Sequence, residues 1–114
     1  MKLQFVVFLL LGFLASMSVR NQAIAGGWEP IKNINDSHVI DIANYAVTEH
    51  DKQAGLNLKL ENIISGETKV VDGIIYCLNI TAGDGSTSNK YNIAVLEKLP
   101  QHFRKLTSFV PLQN

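Results

Sequence analysis

One thiol, Cys77, and three imidazoles, His38, His50 and His102, carry the sulfur and imidazole chemistry available to this 114-residue sequence. A thiolate nucleophile needs a neighbouring imidazole or other cation to keep it ionised. Cys77 instead lies in the apolar stretch Ile74-Ile75-Tyr76-Cys77-Leu78, where a free thiol behaves as a small hydrophobe. The histidines are scattered, and no Cys/His set has zinc-ligand spacing, so neither a metal nor another cofactor is expected. No carboxylate pair, Ser–His–Asp set or phosphate loop is visible; no catalytic residue is assigned and an enzyme is not expected. Ten basic residues balance ten acidic ones, giving no electrostatic reason for a nucleic-acid partner. A lone cysteine cannot form an internal disulfide. What remains is a binding role carried by turns on a rigid scaffold.

Two further motifs invite covalent chemistry. Asn35-Asp36-Ser37 and Asn79-Ile80-Thr81 are acceptor sequences for N-glycosylation, provided the chain enters a secretory compartment. The amino terminus predicts that it does. Lys2 precedes an apolar run from Phe5 to Ala15, too short to span a bilayer and of the form of a signal-peptide core. Ala23-Ile24-Ala25 offers a small-x-small cleavage site, and Ser16-Met17-Ser18 an earlier one. The expected organisation is a signal peptide over residues 1–25, with cleavage as early as residue 18, and one domain over 26–114. The mature protein is expected to be secreted and monomeric, with no membrane contact once the signal is removed.

The elements that would position a binding surface follow from periodicity. Asp36 or Ser37 can cap a helix. Val39, Ile42, Ala43, Ala46, Val47 and His50 then form one stripe at helical spacing, and Gly55 supplies a stop. From residue 56 the period becomes two. Leu56, Leu58 and Leu60 alternate with polar residues, and Ser65-Gly66 interrupts the pattern as a bulge or turn would. Ile74, Tyr76, Leu78 and Ile80 define a second strand. Residues 83–89 read as a loop, Tyr91, Ile93 and Val95 begin a third strand, and Phe103, Leu106 and Phe109 mark a last short one. One helix followed by consecutive strands implies an α+β domain, with the helix lying across an antiparallel sheet.

Four segments, in order, resemble the plant cystatins. Ile42-Ala43-Asn44-Tyr45-Ala46-Val47-Thr48-Glu49-His50-Asp51 is similar to the family's helix signature L-A-R-F-A-V-x-E-H-N. Gly26-Gly27-Trp28-Glu29-Pro30-Ile31 resembles the glycine pair and first strand of its amino-terminal trunk. Lys69-Val70-Val71-Asp72-Gly73 occupies the place of the Q-x-V-x-G loop, and Tyr91 to Phe109 is similar to the closing hairpin. The resemblance implies a cystatin-like fold, one long helix packed across a four- to five-stranded antiparallel sheet. It also implies reversible inhibition of papain-like cysteine proteases by a wedge that plugs the active-site cleft. On this resemblance the protease-binding residues are Gly26, Gly27, Lys69, Val70, Val71, Asp72, Gly73, Leu99 and Pro100.

The sequence departs from the family pattern inside that wedge. Lys69 stands for the glutamine, Asp72 for a small residue, and Leu99-Pro100 for Pro-Trp. Losing an aromatic anchor costs about 2 kcal/mol or more, and desolvating an unpaired carboxylate roughly 1–3 kcal/mol. If these add, binding is weaker by about a hundred- to several-thousandfold. The expectation is a weakened or selective inhibitor. The alternative is a secreted cystatin-fold protein that has lost inhibition and binds another partner.

Overall fold

The structure, a computed structural model, describes residues 27–112. The expected signal peptide and Gly26 lie outside the described residues. Within them the order is β1 (Trp28–Pro30), α1 (Ser37–Ala54), β2 (Lys59–Val71), β3 (Gly73–Gly83), β4 (Ser88–Lys98) and β5 (Phe103–Pro111). The strands form one antiparallel sheet in the order β1-β2-β3-β4-β5, a meander interrupted only by the helix between its first two strands. Among the described residues no helix is long and apolar enough to cross a membrane.

The helix begins and ends for the reasons its sequence suggests. Asp36 is the N-cap, its Oδ2 accepting a hydrogen bond of 3.0 Å from the His38 amide. Gly55 closes the helix in the left-handed region at φ 69°, and its amide donates to the Asp51 carbonyl. The buried stripe is Val39, Ile42, Ala43, Ala46 and Val47. Ala43 and Ala46 have no exposed surface, so the helix backbone approaches the sheet closely. Tyr76, Leu78, Ile80 and Ala82 of β3 and Ile93 and Val95 of β4 complete the core. Each fully buried Leu, Ile or Val contributes roughly 1.5–3 kcal/mol relative to exposure. His50, at the end of the stripe, stacks on Phe109 of β5, with ring centroids 3.8 Å apart and planes 2° apart.

Three expectations are corrected at their boundaries, and a fourth is resolved between its two readings. The strand expected from residue 56 starts at Lys59: Leu56 is half exposed, and the Leu58 amide donates to the Asp51 side chain rather than to a strand. Of the bulge or turn expected near Ser65-Gly66, the bulge is what forms. It is a pair of register shifts, between Leu60 and Asn62 and between Ile63 and Ser65, inside one continuous thirteen-residue strand. The loop expected over 83–89 contracts to Asp84–Thr87. There the Asp84 carboxylate accepts from the Ser86 and Thr87 amides, and these bonds lower its pKa to about 2. The last strand is nine residues long rather than short.

Candidate functional site

The strand register brings three separated segments to one edge of the sheet. Trp28 pairs with Lys69, which places Gly27 and Trp28 beside the end of β2. Val71 pairs with Gly73, leaving Asp72 at the tip of the β2–β3 hairpin. Ile74 pairs with Glu97 and Lys98 with Phe103, so the β4–β5 turn Leu99–His102 stands next to that tip. Of the expected binding residues, Gly27, Lys69 to Gly73, Leu99 and Pro100 are therefore brought together. Lys69, Val70 and Val71 are strand rather than loop, and the turn itself is narrower than the five-residue segment suggests.

Gly73 makes that narrow turn possible. Its φ is 127°, a region L side chains rarely adopt, and a Cβ there would lie 2.7 Å from the Glu97 carbonyl oxygen. In the second turn the Leu99–Pro100 peptide is cis and His102 has φ 56°.

Apolar surface is concentrated on this edge. Trp28 (42% exposed), Val70 (66%), Val71 (44%), Leu99 (56%) and Phe103 (45%) are half of the exposed large hydrophobic residues among the described residues. Such a cluster on one rim marks an interaction surface rather than scattered exposure. Trp28 and Phe103 were not among the residues expected from sequence to bind. The available signal was positional: Phe103 directly follows the second turn, and Trp28 directly follows the glycine pair.

The unusual charged residues join the three segments. Lys98 Nζ lies 3.3 Å from Asp72 Oδ2, linking the second hairpin to the tip of the first. Lys69 Nζ sits 5.6 Å from the centroid of the Trp28 ring, linking the first hairpin to β1 through a cation–π contact.

Behind the edge, Glu97 is almost fully buried, 2% exposed, and anchors the end of β4 to the helix. It receives a 2.7 Å contact from His38 Nε2 and a 2.9 Å hydrogen bond from Arg104 Nε. Arg104 continues to Asp41 at 3.0 Å, and the Tyr45 hydroxyl donates to the Arg104 carbonyl. Burial pushes the Glu97 carboxyl up, but the bonds from His38 and Arg104 outweigh it and hold its pKa below the usual carboxylate range. Burial, reinforced by the neighbouring Glu97 charge, raises the Tyr76 phenol. For Arg104, burial works against the charge while the bonds to Glu97 and Asp41 more than restore it.

Cys77 is on the opposite, outer face of the sheet. Its Sγ lies 3.5 Å from Asn92 Nδ2, and the imidazoles are engaged elsewhere: His38 with Glu97, His50 with Phe109, His102 in the turn. Among the described residues no group of three potential metal ligands occurs. The two sequons fall in different settings. Asn35 is exposed in the turn before α1, whereas Asn79 is in mid-β3, donating to Ser65 and accepting from Asn92.

An edge made of backbone turns, apolar side chains and paired charges can fill a cleft but supplies no nucleophile. Comparison with known proteins accords with this geometry. A family model described as "Aspartic acid proteinase inhibitor" matches residues 31–112. "Cysteine proteinase inhibitor 1" of Actinidia chinensis var. chinensis is 46% identical over 79% of this chain and 78% of its own. "Cysteine proteinase inhibitor 5" of Arabidopsis thaliana is 41% identical over 96% of this chain and 87% of its own. Among solved structures, the salivary cystatin of the soft tick Ornithodoros moubata superposes with a TM-score of 0.65 at 16% identity, over 79% of this chain and all of that one. The fold is that of the cystatins, and the chain belongs to the plant cystatin family of proteinase inhibitors, which are not enzymes.

Proposed function

We propose that the protein is a secreted, monomeric, reversible inhibitor of papain-like cysteine proteases, in which the edge formed by Gly27–Trp28, Lys69–Gly73 and Leu99–Phe103 enters the active-site cleft as a wedge. The observation that carries this reading is the convergence of five exposed apolar side chains on the one edge that the strand register assembles from three segments. The names of the relatives supply the target class. Val70 and Val71 are slim enough for a narrow slot, and the wedge is held by strands, so little entropy is lost on docking. A protease offered turns braced from behind by Glu97 meets no scissile bond in attack geometry. Inhibition then requires only occupancy.

The departures from the family pattern set the strength. The Asp72 carboxylate enters the cleft region together with its Lys98 partner, and Trp28 supplies an aromatic group at the edge although the second turn lacks one. The protein is thus a weakened or selective inhibitor rather than an inactive one. A second target class, aspartic proteinases, is raised by the description of the matching family model.

Both are tested by measuring the inhibition constant of the purified protein against papain, a cathepsin-L-like protease and pepsin. Micromolar or tighter inhibition of the first two is expected. Inhibition of pepsin alone would move the target class. No inhibition by a demonstrably folded sample would favour a cystatin-fold protein with another partner.

A further inference from the structure

The two glycosylation sequons lie in such different surroundings that the fold separates them. We infer that Asn35 is the modified position, that Asn79 is not, and that the Asn35 glycan stands over the unpaired half of strand β2.

Asn35 is exposed in a turn, Asn33–Asp36, closed by a hydrogen bond from the Asp36 amide to the Asn33 carbonyl. Its backbone amide donates to Asn33 Oδ1, and no described residue bonds its side-chain amide. An acceptor asparagine must present that amide nitrogen and its two following residues in an accessible segment. Asp36 and Ser37 are both exposed, so the Asn35 sequon meets this requirement as folded. Asn79 does not. It lies in β3, flanked on both sides by β2 and β4, and its middle residue Ile80 is fully buried. Its Nδ2 donates to Ser65 Oγ at 3.1 Å and its Oδ1 accepts from Asn92 Nδ2 at 2.8 Å. A glycan there would have to rise between these partners on the outer face of the sheet.

The position of Asn35 gives the modification a purpose. β1 covers β2 only at Glu67, Thr68 and Lys69, extended by the bond from the Ile31 amide to the Gly66 carbonyl. From Lys59 to Ser65 the outer edge of β2 has no strand partner among the described residues. An open edge is a template for pairing with another chain. Both register shifts of β2 fall in this uncovered half, and bulges are one device that blunts an edge. Asn35 lies against the same stretch, sharing a cleft of about 140 Å³ with Ile40, Leu60, Glu61, Asn62 and Ile63. A glycan on Asn35 would shade those edge groups. From Ile63 to the Asp72 tip the strand runs on the order of 25–30 Å, so the wedge stays free.

The donor is an oligosaccharide carried on a lipid pyrophosphate. The Asn35 Nδ2 bonds to the anomeric carbon of the sugar, the bond from that carbon to the pyrophosphate oxygen breaks, and the amide nitrogen loses one proton. The test expresses the full chain, with the N35Q and N79Q variants, through a eukaryotic secretory pathway. Intact mass is read before and after enzymatic release, and peptide mapping identifies the asparagine converted to aspartate. One glycan is expected on the wild type and on N79Q, none on N35Q, with conversion at Asn35 only. The mapping works on wild type alone, so a poorly folding N79Q does not decide the matter. An unmodified wild type, whether through failure to enter the compartment or skipping of Asn35, overturns the inference, as does occupancy of Asn79. After release of the glycan, self-association measured by sedimentation should rise while inhibition of papain stays within twofold; unchanged association would overturn the shielding role.

Discussion

Lys98 Nζ lies 3.3 Å from Asp72 Oδ2, so one of the two residues that depart from the family's first-loop pattern is held by the last residue of β4, directly before the second loop. The pair changes what the departure at position 72 means. An isolated carboxylate at the tip would have to be desolvated alone, whereas this one takes its counter-charge with it.

Replacing Asp72 with Ala should therefore tighten papain inhibition by about tenfold, near the lower end of the 1–3 kcal/mol attached to an unpaired buried group. Stability should change by less than about 0.5 kcal/mol, because Asp72 is 98% exposed and exposed ion pairs contribute little. The Lys98→Ala variant should weaken inhibition in the wild-type background and much less in Asp72→Ala. A double-mutant cycle of inhibition constants measures the coupling; complete additivity would contradict it.

Trp28 is the sole tryptophan of the sequence and lies under Lys69 at the edge proposed to enter the cleft. Truncation to Ala should weaken inhibition by about 2 kcal/mol, some thirtyfold, as for other aromatic anchors. Urea unfolding should show only a small loss of stability, since Trp28 is 42% exposed. A large stability loss with unchanged inhibition of the remaining folded protein would assign Trp28 to the fold instead.

Gly73→Ala should lower stability by more than about 1 kcal/mol, because φ is 127° and the added Cβ would press on the Glu97 carbonyl. Denaturant unfolding checks this. A neutral result would mean that the hairpin accommodates a different turn.

The acid limb of stability should depend on Glu97. Its pKa is lower in the folded protein than in the unfolded chain, so its stabilisation is present above the ordinary carboxylate range. It is lost as pH falls from that range through the depressed folded value. Glu97→Gln should flatten this acid slope and cost about 2 kcal/mol at neutral pH, since the part-buried Arg104 loses a charged acceptor. Unfolding measured between pH 7 and pH 3 for both proteins tests the sign; equal slopes would contradict it.

The helix was legible almost to the residue, because its capping residue, apolar stripe and terminal glycine all specify the same span. β2 was not, and the bulges explain why. Leu60 pairs with Ala82, Ile63 with Ile80 and Gly66 with Leu78, all core-facing partners. Three inward positions at a spacing of three cannot look like an alternating strand, so the sequence suggested an interruption. Leu56 and Leu58 continued the alternation by coincidence of composition. The candidate site was legible in its hairpins, through Gly73 and Leu99-Pro100, but not in Trp28 and Phe103. Their role depends on the pairings Trp28–Lys69 and Lys98–Phe103, which join residues far apart or across a turn. The Glu97 cluster was likewise invisible, since His38 and Glu97 are 59 residues apart.

The most direct test of the account is a footprint of the bound surface: amide chemical shifts of the isotope-labelled protein titrated with papain whose active-site thiol is blocked by a small group. The predicted result is perturbation concentrated at Gly27, Trp28, Lys69–Gly73 and Leu99–Phe103, with the outward helix positions Asn44 and Thr48 unchanged. Perturbation centred on the helix or on the outer sheet face around Cys77 and Asn92, or none at saturating papain, would contradict it.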